Sequence, residues 1–155
     1  MKTANSLPPP EECNCFAARA AARHVSQSYD RFLAPTGLRM TQYSILVRLK
    51  RKGPLTINAL AEDMVMDRTT LGRNVLPLQR DGLITIKSAA SDRRAKELRL
   101  TKAGETRLQR AFEGWSQAQA RFEAAFGEKR AAELRELLRA AAASEFAPET
   151  YSTNR

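Results

Sequence analysis

The chain has 155 residues, which is enough for one ordinary domain and too few for two independent hydrophobic cores. Its 26 Lys and Arg residues outnumber 17 Asp and Glu, and the net charge of +9 attracts polyanions such as nucleic acid or an anionic membrane surface. Because no stretch approaches the roughly 18 uncharged apolar residues of a membrane span, and residues 1–10 lack a signal-peptide core, we expect a soluble, cytoplasmic protein.

Apolar residues at steps of three and four predict a first helix from about Glu12 to Leu33, because that spacing places them on one helix face. Gly37 follows the end of this helix. The second helix is predicted to begin after Thr41 as its N-cap and to stop at Gly53. Its apolar stripe consists of Ile45, Leu46 and Leu49.

Two short helices joined by a tight turn are predicted next. Thr56 is the candidate N-cap of the third helix and Asp67 that of the fourth, and Gly82 supplies the stop. In the fourth helix the inward-facing apolar residues are Leu71, Val75 and Leu78. The side chains left facing outward are small, polar or basic: Arg68, Thr69, Gly72, Arg73 and Asn74. This arrangement is typical of a helix-turn-helix that binds double-stranded DNA.

The sequence period changes from 3.6 to two after Gly82. Residues 83–86 are rich in strand-favouring types, and leucines alternate with charged residues in 97–100, which predicts a β-hairpin. The connection, residues 87–96, is polar and basic, and we expect none of it to pack into a core. A hairpin that follows a helix-turn-helix is interpreted as a wing.

A long final stretch keeps helical spacing after a cap at Thr101 and is interrupted near Gly127, which predicts a fifth and a sixth helix. The first, fifth and sixth helices carry more apolar surface than a small winged-helix core needs. We therefore expect an obligate homodimer.

The predicted fold is mainly α with a small β wing: a winged helix-turn-helix with N-terminal and C-terminal helical dimerisation regions. A flexible N-terminus (1–11) precedes a single domain (12–147), and a flexible tail (148–155) follows it. In that domain, segments 12–34 and 102–147 dimerise, and a DNA-binding lobe spans 38–100.

The order of these elements resembles the MarR family of bacterial regulators from about Cys13 to Phe146. The string LRMTQYSIL (38–46) resembles the family's entry into the second helix, and Leu60-Ala61 with TLGR (70–73) resembles its helix-turn-helix. Its most specific part is the wing signature, DRR (92–94) followed by LRLTKAG (98–104). The resemblance implies a winged-helix transcriptional regulator that binds a palindromic operator, a repressor that a small-molecule or oxidant signal releases.

The wing and the fourth helix supply the predicted DNA contacts. Arg94 is expected to enter the narrow minor groove, with Asp92 holding its guanidinium by a bidentate contact; a solvated charge cluster is the alternative. Arg68 and Arg73 face the major groove, where an arginine donates twice to a guanine edge or touches only phosphate. The full predicted set is Arg68, Thr69, Thr70, Arg73, Asn74, Asp92, Arg93 and Arg94.

Two sets of side chains are candidates for sensing a signal. The family is known to bind small aromatic acids, and four aromatic residues are candidates for such an effector pocket, although the same spacing also fits an ordinary core: Tyr29, Phe32, Trp115 and Phe122. Cys15 resembles the reactive cysteine of the family branch that senses organic hydroperoxides, and a helix N-terminus favours its thiolate. That branch has tyrosines where this chain has Arg19 and Met40, so a cysteine that merely packs is the alternative. Cys13 is a second thiol, suited to resolve an oxidised partner or to react across the dimer.

Other classes of protein fit the sequence less well. The single histidine, His24, has no Ser or Asp arrangement around it, and no glycine loop would cradle a phosphate, so we expect no enzyme. Cys13, Cys15 and His24 lack a fourth ligand, so we expect no metal and no cofactor. The remaining alternative is an architectural protein that coats or bends DNA without sequence preference, which selection from random duplexes would distinguish.

Overall fold

A computed structural model of the chain describes residues 7–146, and these divide into two compact units between Ala118 and Gln119. Of the predicted flexible ends, residues 1–6 and the whole tail 148–155 lie outside the described range. The helices within it are α1 (Asn14–Leu33), α2 (Met40–Lys52), α3 (Ile57–Asp63), α4 (Arg68–Arg80), α5 (Lys102–Phe126) and α6 (Glu128–Ala143). The strands are β1 (Leu55–Thr56), β2 (Ile84–Ser88) and β3 (Lys96–Leu100), and short 3-10 turns occupy Pro10–Glu12 and Ala34–Thr36. The prediction of a mainly helical fold with a small β wing is confirmed.

The start of α2 differs from the prediction. The helix begins at Met40 instead of following a cap at Thr41, because a carboxylate from α1 accepts the first backbone donor: Asp30 Oδ1 lies 2.7 Å from Met40 N. The side chain of Gln42 accepts the preceding N–H, that of Arg39, at 3.0 Å. These contacts satisfy donors that a helix leaves unpaired at its first turn.

The helix-turn-helix has the predicted caps. Thr56 Oγ1 accepts the N–H of Ala59 at 3.1 Å, and Asp67 Oδ1 accepts the N–H of Thr70 at 2.8 Å, so both N-cap predictions are confirmed. The turn that ends α3 is a Schellman motif, in which Met66 N–H bonds to Ala61 C=O and Val65 N–H to Glu62 C=O. Val65 occupies its left-handed position, with φ 51°, where glycine is usual.

The strands form one antiparallel sheet in the order β1-β3-β2. The predicted hairpin pairs Ile84 with Leu100 and Ser88 with Lys96, so it extends further into the connection than expected. The expectation that nothing in this connection packs inward is wrong at Ala89, which is 4% exposed and donates its N–H to Ala95. The sequence analysis also missed β1, whose two residues pair with Leu98 and Glu97.

The hydrophobic core of the first unit lies between α2, α3, α4 and the sheet, and the C-terminal end of α1 and the first part of α5 pack against it. Its fully buried side chains are contributed by several elements: Leu33, Ile45, Leu46, Leu60, Leu71, Leu78, Ile84 and Leu98. This core fixes the inward side of α4 and therefore decides which of its side chains face solvent.

In the second unit, α5 continues to Phe126 and Gly127 separates it from α6 with φ +98°. The rings of Phe122 and Phe126 stack at 5.4 Å, and the guanidinium of Arg130 lies 4.4 Å from the centre of the Phe126 ring. These contacts join the end of α5 to the beginning of α6.

Candidate DNA-binding surface

The outward face of α4 presents polar and basic side chains to solvent. Arg68, Thr69 and Arg73 are exposed, and in the described part of the chain neither arginine has an acidic partner. Both guanidiniums are therefore available to an external acceptor such as a base edge or a phosphate.

Two other predicted DNA-binding residues make contacts within α4. Thr70 donates its hydroxyl proton to Asp67 Oδ2 at 2.6 Å, and Asn74 Nδ2 donates to the carbonyl of Thr70 at 3.0 Å. The hydrogen bonds from Thr70, its hydroxyl first and then its amide, hold the pKa of Asp67 below the ordinary aspartate value. The carboxylate that caps α4 therefore stays ionised under neutral conditions.

The wing carries Arg93 and Arg94 on its exposed tip. Asp92 is placed differently from the prediction: its Oδ1 accepts the backbone N–H of Arg94 at 2.9 Å, and no ion pair within residues 7–146 joins it to the Arg94 guanidinium. A short aspartate side chain reaches a backbone donor two residues on more readily than the end of a long arginine. Asp92 therefore stabilises the turn at the tip of the wing, and the Arg94 guanidinium is not paired with its carboxylate.

Most of the excess positive charge lies in the segment that contains α4 and the wing. Residues 38–100 hold 13 Lys and Arg against 6 Asp and Glu, which accounts for +7 of the net +9. Positive charge concentrated beside an exposed helix is the electrostatic footprint of a nucleic-acid-binding surface.

A junction between α4 and α5, which the sequence analysis did not identify, ties the DNA-binding elements to the long helix. Thr101 Oγ1 accepts the N–H of Gly104 at 3.0 Å, confirming the predicted cap, and donates to the carbonyl of Gly82 at 2.7 Å. Gly104 lies so close to Leu83 that a Cβ at this position would be 2.1 Å from the Leu83 carbonyl oxygen. Gly82 and Leu83 complete the Schellman cap of α4, so the end of α4 bonds directly to the start of α5.

An open cleft of about 850 Å³ lies between α2 and α5. Its apolar lining includes Tyr43, Val47, Leu108, Phe112 and Trp115, and its basic lining includes Arg48, Lys50, Arg51, Lys102 and Arg110. The ring of Trp115 stacks on both Tyr43 and Phe112, with centroids 6.2 and 5.8 Å apart. Burial raises the pKa of Tyr43, so its hydroxyl remains a neutral hydrogen-bond group.

Of the four aromatic residues predicted for an effector pocket, Trp115 alone lines this cleft. Tyr29 is buried in the core at 8% exposure, and the backbone of Phe32 packs close to Gly114 of α5. Phe122 belongs to the second unit, where it stacks on Phe126. The sequence analysis placed these four residues on apolar helix faces, but it did not identify α2 as one wall of the cleft.

The cysteines lie at the N-terminus of α1, and both are exposed. Cys13 is the N-cap of the helix, and its Sγ accepts the N–H of Phe16 at 3.4 Å, whereas Cys15 lies within the first turn. Within residues 7–146, no group of three or more His, Cys, Asp or Glu side chains is placed to hold a metal ion. None of the helices within residues 7–146 combines the length and the apolar composition that a membrane span requires.

Comparison with known proteins agrees with this architecture. The sequence profile of the MarR family matches residues 38–96. The M. tuberculosis transcriptional regulator MosR is 36% identical, the match covering 86% of this chain and 98% of that one with a TM-score of 0.73. Its structure in complex with DNA is 37% identical and covers 87% of this chain and all of that one, with a TM-score of 0.74.

A second relative is the organic hydroperoxide resistance transcriptional regulator of Bacillus subtilis, 29% identical over 104 residues. That match spans 67% of this chain and 66% of the relative. CouR from Rhodococcus jostii RHA1, solved with p-coumaroyl-CoA, has a TM-score of 0.73 over 92% of this chain at 23% identity and shows the fold.

The winged helix-turn-helix and these relatives define a non-enzymatic, DNA-binding transcriptional regulator. The chain belongs to the MarR family, as its motifs predicted.

Proposed function

We propose that this regulator binds a palindromic operator sequence-specifically as a homodimer and represses transcription until a signal releases it. The observation that carries the proposal is the outward face of α4. Thr69 and Arg73 are exposed there, while Leu71, Val75 and Leu78 hold the opposite side in the core. A helix fixed in this way presents its base-reading side chains in one orientation.

The predicted contacts follow from the two DNA-binding elements. Arg68 and Arg73 on α4 donate to base edges or phosphates of the major groove, and Thr69 assists. The wing tip carries Arg94 into the adjacent minor groove, where negative potential is concentrated, and Arg93 contacts phosphate. Asp92, Thr70 and Asn74 support these residues by shaping the turn and the first turns of α4.

The dimer in this proposal is formed by the helices outside residues 38–100. Phe16 of α1 is 51% exposed, and Leu137 and Leu138 of α6 are 69% and 49% exposed. Large apolar side chains grouped on terminal helices favour burial against a second copy. A two-fold dimer places two copies of α4 on successive turns of the duplex, which requires a palindromic site.

The α2–α5 cleft is proposed as the site of a small-molecule signal. Stacked rings of Tyr43, Trp115 and Phe112 form an apolar wall, and Lys102 and Arg110 lie at its polar edge. This combination fits an aromatic molecule that carries an acidic group.

Ligand binding in the cleft would alter the position of α4 through the contacts that join α2 to α5 and α5 to the end of α4. Lys50 of α2 pairs with Glu105 of α5 at 2.7 Å, and this ammonium holds the pKa of Glu105 below its ordinary value. An anionic ligand competes with Glu105 for Lys50. A shift of α5 at this point is transmitted to Gly82 at the end of α4 through the hydroxyl of Thr101.

An oxidant signal is proposed to act at the two cysteines, a proposal that the hydroperoxide-resistance relative supports. The sulfur of a Cys15 thiolate attacks the terminal oxygen of an organic hydroperoxide, so that an S–O bond forms, the O–O bond breaks and an alcohol leaves. The Cys13 thiol, or a thiol of the second copy, then forms a disulfide and releases water. Because Cys15 is exposed, the first step requires no unfolding of α1. Side chains two residues apart on a helix do not face each other, so a thiol of the second copy completes the second step without opening the first turn of α1, and Cys13 of the same chain requires that turn to open.

The DNA-binding part is tested by selecting duplexes from a random pool and then measuring affinities at fixed salt. We expect enrichment of a palindrome, a loss of about 1–3 kcal/mol for Arg73→Ala together with relaxed specificity at one base pair, and a smaller salt dependence for Arg94→Ala. Arg121→Ala, an exposed arginine outside residues 38–100, is the matched control and should bind as the wild type does. If both Arg73→Ala and Arg94→Ala bound the operator with wild-type affinity, the assignment of α4 and the wing to DNA binding would be refuted. If the affinity of the wild type depended on salt concentration but not on DNA sequence, an architectural protein would be favoured.

The signals are separated by treating the operator complex either with small aromatic carboxylates or with an organic hydroperoxide. Phe112→Ala and Lys102→Ala should abolish release by the carboxylates only. Cys15→Ser and Cys13→Ser should abolish release by the hydroperoxide only, and a reductant should restore wild-type binding. Unchanged affinity despite confirmed oxidation of Cys15 would exclude the redox signal and leave the DNA-binding assignment intact.

A further inference from the structure

Leu76 is an apolar side chain on the side of α4 that faces away from the core. It is 64% exposed, whereas Val75 and Leu78 on the same helix are at most 3% exposed. It continues the exposed stripe of Thr69 and Arg73 at a step of three residues, and Arg80 extends that stripe one turn further.

Exposed large hydrophobic residues are otherwise rare in this part of the molecule. Among residues 38–100, the large hydrophobic side chains that are exposed are Val65 and Leu76, and both belong to the helix-turn-helix. A single exposed leucine is common on protein surfaces, so exposure alone assigns no role. Its position on the helix supplies the second observation.

Leu76 lies between two arginines on one face of α4. Arg73 and Arg80 are seven residues apart, which is about 10 Å along a helix axis; Arg73 has no acidic partner among residues 7–146, whereas Arg80 Nε pairs with Asp81 Oδ1 at 3.1 Å. Leu76 shares one helix face with Thr69 and Arg73, opposite the buried side of α4. If this face enters the major groove, the Leu76 side chain lies against the base edges one turn beyond Arg73.

The apolar group that the groove floor offers is the 5-methyl of thymine. We propose that Leu76 contacts this methyl group in each half-site and is a specificity-determining residue of the regulator. The proposal rests on the proposed function, since it requires that α4 bind in the major groove. It assigns Leu76 to thymine recognition by apolar contact, in addition to the hydrogen bonds of the neighbouring arginines.

The test replaces thymine by deoxyuracil in the selected operator, one symmetric pair of positions at a time, because this change removes only the methyl group. At one position the wild type should lose about fourfold in affinity per half-site, the value expected for one buried methyl group. Leu76→Ala should bind thymine and deoxyuracil equally at that position and keep its wild-type response elsewhere. Leu76→Met should retain the discrimination, and Gln79→Ala, an exposed neighbour on α4, should leave the whole profile unchanged.

The outcomes distinguish the two proposals. If the wild type selects an operator but no deoxyuracil position responds differently in Leu76→Ala, the thymine contact is overturned and the proposed function stands. If the wild type selects no sequence, the proposed function and the thymine contact both fail. Thermal melting of each variant without DNA confirms that the exposed position tolerates the substitution.

Discussion

The segment from Leu38 to Leu100 and the helices that flank it bury their side chains to different degrees. Fourteen of the nineteen buried hydrophobic residues lie in that segment, whereas the 20-residue α1 buries Tyr29 and Leu33 and the 16-residue α6 buries Ala131. Residues 38–100 therefore contribute most of the core of the first unit, with Leu33 of α1 and Ala111 of α5 packed into it, and the flanking helices present surface that a second copy of the chain is proposed to cover. Fold stability and dimer stability should consequently respond to different substitutions.

The largest effect is expected at the junction of α4 and α5. Gly104→Ala should lower the free energy of unfolding by about 3 kcal/mol, because the new Cβ would meet the Leu83 carbonyl oxygen at 2.1 Å and Leu100 Cδ1 at 2.7 Å. Gly72→Ala in α4 is the matched control, since no atom lies within 4 Å of its Cβ position. It should raise stability by about 0.5–1 kcal/mol through helix propensity. Urea unfolding without DNA measures both, and equal effects would show that the junction is not tightly packed.

A substitution on α6 should separate dimerisation from folding. Leu138→Glu places a charge on the face that also carries Ala131, and it should weaken the proposed dimer at least about a hundredfold, since each copy loses a leucine that the dimer is proposed to bury. Ala132→Glu puts the same carboxylate on the side of α6 that faces away from both Leu137 and Leu138, and it should leave the dimer intact. Sedimentation measures the association, and far-UV circular dichroism measures the helix content. Equal association of the two variants would exclude this face of α6 from the interface.

The sequence predicted best those features that depend on neighbours in the chain. The side chains of Thr56 and Asp67 each cap a helix by accepting the backbone N–H of the residue three positions later. The alternation of apolar and charged side chains in residues 97–100 predicts the strand that pairs in the hairpin. The start of α2 was predicted wrongly because its cap comes from Asp30, ten residues earlier on another helix. The strand β1 has only two residues and is defined by pairing with residues of β3 that lie 43 and 41 positions away (Leu55 with Leu98, Thr56 with Glu97), which local periodicity does not show.

The same distinction applies to the candidate site. The exposed residues of α4 were predictable because helical period alone assigns them to the outward face. Spacing on α1 and α5 did not reveal the α2–α5 cleft, since its walls meet only in the folded chain. The contact of Asp92 with the backbone of Arg94, in place of its guanidinium, likewise depends on the turn that the wing adopts.

A smaller effect concerns acid sensitivity of the α4 cap. The pKa of Asp67 is lowered in the folded state by its hydrogen bonds from Thr70, so the carboxylate stabilises the fold fully above the ordinary value of 3.8. This contribution is lost as the pH falls through the lower folded-state pKa. Asp67→Asn, which caps a helix without titrating, should remove that part of the acid dependence while keeping neutral-pH stability close to the wild type. Unfolding curves between pH 2 and 6 measure it, and identical slopes for both proteins would contradict the assignment.

The smallest effect is expected at the turn between α3 and α4. Val65→Gly should raise stability by about 0.5–1 kcal/mol, because a left-handed conformation costs a β-branched residue more than glycine loses in backbone entropy. Gly82 occupies the equivalent position after α4 with φ +70° and open space at its Cβ position, so Gly82→Val should destabilise by a comparable amount. If both substitutions changed the stability in the same direction, the backbone φ would not be what determines the preferred residue at these two caps.

The number of chains on one operator tests the central claim most directly. Light scattering or native mass spectrometry of the complex with a single selected palindrome should give one duplex and two chains of 17.3 kDa. Extending the duplex with unrelated sequence should leave that ratio at two. One chain per duplex, or a number that rises with duplex length, would contradict a dimeric sequence-specific regulator.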